Sequence, residues 1–336
     1  MKRACMLVLL LVLCTPALAK RVKAQEQGEP IAHLPEVAAF MEEMALRHQF
    51  DRADLARLFG EARMKPSILN AMARPAEIKP WREYRPLFVE ASRIERGVRF
   101  WAEHEATLQR AEAQFGVPAS VIVAIIGVET FYGRNTGAYR VVDALATLAF
   151  GYPKRAAYFR DELEQYLLLA REAAIPPLSI KGSYAGAMGI PQFMPSSYRN
   201  YGVDFDGDTH RDLWRNPVDA IGSVARYFQG KGWQPGAPVL TPATQVAEPG
   251  KGLANRGWGY RMPLDAWAQV GVTARNEKAG EAMLLILDGA NGPEHWLAFE
   301  NFYVITRYNH SFHYAMAVWE LSRALEAARD APKDLR

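Results

Sequence analysis

The sequence predicts a mainly α fold of the α+β kind, with helical segments on either side of a small antiparallel β unit. Three observations predict it. Apolar residues recur at helical spacing from about residue 35 to 131 and again from about 155 to 230. Near Trp233 the period changes to short runs rich in β-branched and aromatic residues, broken by Asp288-Gly289 and Asn291-Gly292. Helical pattern then returns in "SFHYAMAVWELSRALEAARD", so the β unit of about 234–304 reads as an insertion into a helical domain.

The elements follow in order. "MKRACMLVLLLVLCTPALAK" carries a basic start (Lys2, Arg3), an apolar stretch and Ala17-Leu18-Ala19. That is a secretory signal peptide over 1–19, and it places the mature chain in the periplasm. The apolar run is too short for a membrane span. Cys14 follows Leu13, where a lipoprotein peptidase needs a small residue, so cleavage after Ala19 without a lipid anchor is expected. Residues 20–34 are polar and read as a flexible lead-in. "LPEVAAFMEEMALRHQF" is an amphipathic helix, and "FDRADLARLFGEARM" begins with Asp51 and Asp54 as a cap and its first turn. "FVEASRIERGVRFWAEHEATLQRAEAQFG" reads as one long helix ending at Gly116, and Pro118 opens the next. "RAAYFRDELEQYLLLAREAA" is helical up to Pro176-Pro177, and "NPVDAIGSVARYFQGKG" up to its glycines. "GAPVLTPATQV", "DAWAQVGVTA", "EAMLLILDG" and "HWLAFENFYVITRY" read as strands.

Composition excludes some chemistry. Removing Lys2 and Arg3 brings the formal net charge from +3 to +1, which gives no basis for nucleic-acid binding. The two cysteines, Cys5 and Cys14, lie in the leader, so the mature chain has no disulfide, thiolate nucleophile or cysteine metal site. Eight Trp and fourteen Tyr suit either core packing or stacking on sugar rings.

Four segments carry possible chemistry. In "IIGVETFYGRNTG", Ile122, Ile125 and Ile126 share one helical face with Glu129, which therefore sits at the edge of an apolar stripe. A carboxylate there is costly unless paired or protonated, so a structural partner and a general acid of raised pKa explain it equally well. "KGSYAGAMGIPQFMPSSYRNYG" combines Gly182, Gly186, Gly189 and Gly202 with Ser183, Gln192, Phe193, Met194 and Tyr198. Small residues admit a ligand close to the backbone, and the uncharged groups suit a neutral polar one; a tightly packed loop is the alternative. In "VDFDGDTHRDLW", Asp204, Asp206 and Asp208 alternate and Asp212 follows. Such oxygens suit a hard cation, although the sixth loop position is Thr209 rather than glycine and the twelfth is Arg215 rather than glutamate. Asp219 offers a later carboxylate, and a solvated acidic turn is the alternative. In "RYNHSFHYAMAVWEL", Tyr308, Asn309 and Tyr314 bracket a helix start, where Ser311 or Asn309 serves as a cap and the tyrosines as core or as site.

Together, in order and over about residues 35–328, these segments resemble the membrane-bound lytic murein transglycosylase B family. The resemblance implies a lysozyme-like helical core (101–233, with an EF-hand-like loop, and 305–330), an N-terminal α subdomain (35–100) and an inserted β subdomain (234–304). It places Glu129 as the catalytic acid/base. It places Ser183, Gln192, Tyr227, Tyr308, Asn309, Tyr314 and Tyr84 along a saccharide cleft. It implies one structural Ca2+ held by Asp204, Asp206, Asp208, the backbone carbonyl of His210, and Asp219. Arg155 falls at a family arginine pair that meets the peptide part of the glycan; here the pair reads Lys154-Arg155, and lysine lacks the planar fork. The implied partners are peptidoglycan glycan strands, with cell-wall enzyme complexes in addition, and the implied state is a monomer. The implied reaction cleaves the β-1,4 bond between N-acetylmuramic acid and N-acetylglucosamine and leaves a 1,6-anhydro end. Its rivals are a hydrolytic muramidase, with Asp143 the nearest second carboxylate in sequence, and a non-catalytic peptidoglycan-binding protein.

Overall fold

The computed structural model describes residues 28–73, 79–276 and 280–331. The leader and Cys14 lie outside the described residues. Residues 28–34 are not a loose lead-in: Glu29–Pro30 pairs antiparallel with Arg63–Met64, and Ile31 is fully buried in the main core.

The N-terminal helices are α1 (Pro35–His48) and α2 (Arg52–Glu61). Asp51 caps α2, its side chain accepting from the Asp54 N–H at 2.9 Å. The long helix expected over 88–116 is two, α3 (Ala91–Glu103) and α4 (Glu105–Phe115), which meet at a non-helical His104 (φ −118°, ψ 23°). The helix α5 (Ala119–Thr130) is buried all round from Ala119 to Val128 rather than along one stripe. Glu129 is its first half-exposed residue. Against α5 pack α3, α4, α9 (Pro217–Gly230) and the C-terminal α11 (Phe312–Asp330), and α6 (Val141–Gly151), α7 (Ala156–Glu172) and α8 (Pro195–Tyr201) add to the same large core.

Between α9 and α11 lies a five-stranded antiparallel sheet. Its strands are β1 (Leu240–Val246), β2 (Met262–Pro263), β3 (Val272–Ala274), β4 (Glu281–Gly289) and β5 (Gly292–Ala298), in the order β2-β4-β5-β1-β3. Alternation along β4 roots the sheet twice. Ala282 and Leu284 face a small core with Trp267, Val272, Leu297 and Phe299, while Met283, Leu285 and Leu287 join the main core. Burial on both faces is why "EAMLLILDG" reads as one apolar run. Two strand expectations fail. "DAWAQ" forms a helical turn, Leu264–Gln269, because Trp267 must enter the small core, where its Nε1 donates to Ala282 O at 2.8 Å. "ENFYVIT" forms helix α10 (Glu300–Thr306), whose Phe302 and Ile305 recur at helical spacing into the main core. Aromatic and β-branched content misleads there, since it records fit to a packed surface more than backbone preference.

Candidate active site

Glu129 is the penultimate residue of α5, and the chain turns sharply after it. Phe131 and Tyr132 both take left-handed φ (52° and 60°). The Phe131 N–H donates to Gly127 O and the Tyr132 N–H to Ile126 O, so the turn closes the helix end. Thr130, 1% exposed, fixes the turn sideways: its hydroxyl donates to Ile190 O at 2.9 Å and accepts from the Gly133 N–H at 2.9 Å.

Tyr314, in the first turn of α11, donates its hydroxyl to Glu129 Oε1 at 2.6 Å. Ser311 caps that helix by accepting from the Tyr314 N–H at 3.3 Å. Tyr308 stacks on Tyr314 with ring centres 6.4 Å apart and planes 13° apart, and donates to Pro191 O at 2.6 Å. Tyr227 comes from α9, its ring 4.9 Å from Tyr308 and its hydroxyl donating to Arg307 O. Burial pushes the Tyr314 and Tyr308 hydroxyls well above the ordinary range, and the charge of Glu129 adds to that. Both therefore remain neutral donors beside the carboxylate.

The segment 181–194 lies across from these residues. Ser183 Oγ accepts from the Ala187 N–H at 3.0 Å and the Ala185 N–H at 3.3 Å, holding its own loop. Gln192, at φ 49°, donates to Thr136 O at 3.1 Å and Gly189 O at 2.9 Å, tying the loop to the turn that follows Glu129. Phe193 packs against both Tyr227 and Tyr308, at 5.5 and 5.8 Å. The glycines serve the protein's own packing, not close approach of a ligand. A Cβ at Gly182 would stand 2.2 Å from Ala187 O, at Gly186 2.4 Å from Leu145 Cδ2, and at Gly189 2.4 Å from Leu213 O.

The remaining predicted residues are more peripheral. Asn309 is half-buried beside Tyr308, and its carbonyl accepts from the Ser311 N–H. Tyr84 is 1% exposed, packed on Trp81, Phe88 and His313, and acts electrostatically on Tyr314 from behind. Arg155 is exposed and lies 4.3 Å over the Tyr158 ring; burial lowers the pKa of His310, and the charges of Arg307 and Arg155 lower it further.

Asp143 is not a cleft acid. It is 2% exposed and accepts from Arg140 Nε (2.8 Å), Arg140 Nη2 (2.9 Å) and the Arg63 N–H (2.9 Å). The other buried acids are also engaged: Glu162 by Ser196, Glu164 by His48 and Arg47, and Asp219 by the N–H groups of Phe205 and Asp212.

In the acidic loop, one carboxylate oxygen from each of Asp204, Asp206 and Asp219 lies within 4.8 Å of the others. Burial raises the Asp219 carboxyl, two backbone N–H groups oppose that, and the charges of Asp206 and Asp204 raise it further. Three hard oxygens in mutual repulsion suit a divalent cation such as Ca2+. Asp208 does not belong to that group; its carboxylate accepts from the His210 N–H at 2.7 Å. Thr209 takes φ 75° where an EF-hand has glycine, and its N–H donates to Asp204 Oδ2 at 2.8 Å. The sequence reading missed Asn216, which donates to Asp206 Oδ2 at 2.7 Å while its Oδ1 caps α9.

A Transglycosylase SLT domain model matches residues 32–323, and the chain belongs to this family, in the lytic murein transglycosylase B group that its motifs resemble. It is 45% identical over 316 residues to membrane-bound lytic murein transglycosylase B of Escherichia coli strain K12, covering 90% of this chain and 86% of the relative. Among solved structures, soluble lytic transglycosylase SltB1 of Pseudomonas aeruginosa is 50% identical, with coverage of 88% and 100% and a TM-score of 0.83. The E. coli lytic transglycosylase Slt35 in complex with calcium is 45% identical, with coverage of 92% and 98% and a TM-score of 0.84. No single helix among the described residues is long and apolar enough to cross a membrane.

Proposed function

We propose that the protein cleaves the β-1,4 bond between N-acetylmuramic acid and N-acetylglucosamine in periplasmic peptidoglycan, with Glu129 as acid and then base. One observation carries this reading: Glu129 opens from a wholly buried helix onto the neutral Tyr314 hydroxyl, while each buried acid among the described residues is engaged elsewhere. Glu129 donates its proton to the glycosidic oxygen, and the transition state resembles an oxocarbenium ion. Tyr314 donates to the carboxylate as its charge develops. With the buried carboxylates among the described residues all engaged elsewhere, ionised Glu129 removes the proton of the sugar's own 6-hydroxyl. That oxygen then bonds to C1, and the 1,6-anhydro end forms without consuming water.

Ca2+ fits the oxygens of Asp204, Asp206 and Asp219, and when bound it supplies structural cross-linking of the loop to α9. Tyr227, Tyr308, Ser183 and Gln192 are assigned to the saccharide cleft by their place in the family motifs.

Digestion of purified sacculi by the wild-type chain and by Glu129→Gln, read by mass spectrometry, tests the reading. The expected products are muropeptides one water lighter than reducing ones, with turnover in Glu129→Gln reduced by about 10²- to 10⁴-fold. Reducing products would establish hydrolysis instead. A fully active Glu129→Gln would remove Glu129 from the mechanism.

A further inference from the structure

The turn that follows Glu129 is an unusual place for two aromatic residues. Phe131 and Tyr132 are consecutive left-handed residues with side chains, a conformation in which Cβ crowds the following carbonyl. Such backbone persists only where its surroundings enforce it. Two groups from α3 do so here.

The first is a notch for Tyr132. Its ring enters between Gly97 of α3 and Gly127 of α5. A Cβ on Gly97 would lie 2.3 Å from the Tyr132 hydroxyl oxygen, and one on Gly127 would lie 2.6 Å from it and 2.7 Å from Cζ. No Cβ tolerates that approach, so only glycine at both positions admits the ring. Tyr132 is 7% exposed, packs on Phe100 at 5.5 Å, and its hydroxyl has no hydrogen-bond partner among the described residues. The outer end of the ring therefore fills the notch by its bulk, not by a hydrogen bond.

The second is Arg93. Its Nη1 donates to Gly127 O at 2.6 Å, and its Nη2 to Leu87 O at 3.1 Å. The guanidinium lies 4.9 Å from the Phe131 ring centre and 5.4 Å from that of Phe88. One planar fork thus grips the last turn of α5, the ring after it and the segment before α3.

From this geometry we infer that Arg93 and Tyr132 are positioning residues, which lock the left-handed turn after α5 so that the Glu129 carboxyl meets the Tyr314 hydroxyl. The inference rests on Glu129 being the acid/base. Neither residue need touch the glycan.

The test compares kcat and KM for release of soluble muropeptides by Tyr132→Leu, Tyr132→Phe, Arg93→Lys and Glu129→Gln. Val272→Ala, a change in the small core beneath the sheet, serves as a control for lost stability alone. The expected result is a kcat reduced tenfold or more in Tyr132→Leu with KM within twofold, and most of that loss restored in Tyr132→Phe. Arg93→Lys keeps the charge without the fork, leaves Tyr132 and both glycines unchanged, and is expected to lose kcat in the same way. Val272→Ala should lower the melting temperature and leave kcat unchanged. If Tyr132→Leu and Arg93→Lys lose only melting temperature, as Val272→Ala does, while Glu129→Gln is inactive, the positioning role is overturned and the catalytic assignment stands. A fully active Glu129→Gln overturns both.

Discussion

Removing one oxygen atom tests the chemistry most directly. In Tyr314→Phe the ring keeps its place, because it is 3% exposed and stacked on Tyr308. The donor at 2.6 Å from Glu129 Oε1 is lost. A hydrogen bond to a charged group contributes about 1.5–3 kcal/mol. If that bond strengthens as Glu129 gives up its proton, its loss lowers kcat by about 10- to 150-fold. The sign of the pH effect is fixed as well. A donor to the ionised carboxylate favours ionisation, so removing it raises the Glu129 pKa. The limb of the pH–rate profile on which Glu129 loses its proton should move to higher pH. The assay is muropeptide release from sacculi across pH, with near-ultraviolet circular dichroism as the check on folding. A folded Tyr314→Phe enzyme with kcat within threefold of wild type and a superimposable pH profile would refute the role given to this hydroxyl.

Two further predictions concern stability. If Ca2+ binds the Asp204, Asp206 and Asp219 group, saturation at about 100 times Kd stabilises by roughly 2.7 kcal/mol, so chelation should lower the melting temperature by about 5 °C. Asp219→Asn should lose that response to calcium, and a wild-type melting temperature indifferent to both calcium and chelator would count against the site. Alkaline unfolding should be steep, because burial raises Tyr132, Tyr166, Tyr198, Tyr227, Tyr308 and Tyr314. Groups raised on folding favour the folded chain below the unfolded pKa of about 10 and lose that contribution as pH rises through the folded values. Above pH 10 each raised hydroxyl thus works against the folded chain, and the six act in the same direction. Circular dichroism against pH should show cooperative loss between about pH 10 and 11, and a fold intact beyond pH 12 would refute the linkage.

Much of this was readable in the sequence where one segment carries its own signal. The cap at Asp51, the stop at Gly116 and the helical spacing of α7 and α9 are local facts, and the structure places them as read. Glu129 announced itself as an acid ending an apolar run. Its partner Tyr314 lies 185 positions away, and only the resemblance of whole motifs connected the two. Contacts without a local pattern were not legible. Asn216, Arg93 and Tyr132 matter for what they meet in space, and no spacing in the chain records it. The glycines of 182–189 were legible as close approach, to a ligand or within a tightly packed loop, and the packing around them fits the second reading. The strand readings of "DAWAQ" and "ENFYVIT" failed because burial in two different cores selected aromatic residues regardless of backbone state.

The sheet raises a geometric question, because the tyrosines gathered near Glu129 come from both sides of it in the chain. Tyr227 precedes the insertion and Tyr308 follows it, yet their rings lie 4.9 Å apart. Closing a chain segment of that length is entropically costly, though the cost grows only slowly with length. Asn301, fully buried, supplies a closure that does not depend on the sheet. Its Oδ1 accepts from the Gln234 N–H at 2.8 Å, and its Nδ2 donates to Gln234 O at 2.8 Å and to Ala237 O at 3.0 Å. One side chain thus ties the exit of the insertion to its entrance. The sheet adds to that tie, since Leu240 pairs with Ala298 and Met283, Leu285 and Leu287 enter the main core that holds Tyr227. Tyr227 and Tyr314 are thus held by one core to which the helices and the inner face of the sheet both contribute, with Asn301 fixing the point where the chain leaves and re-enters it.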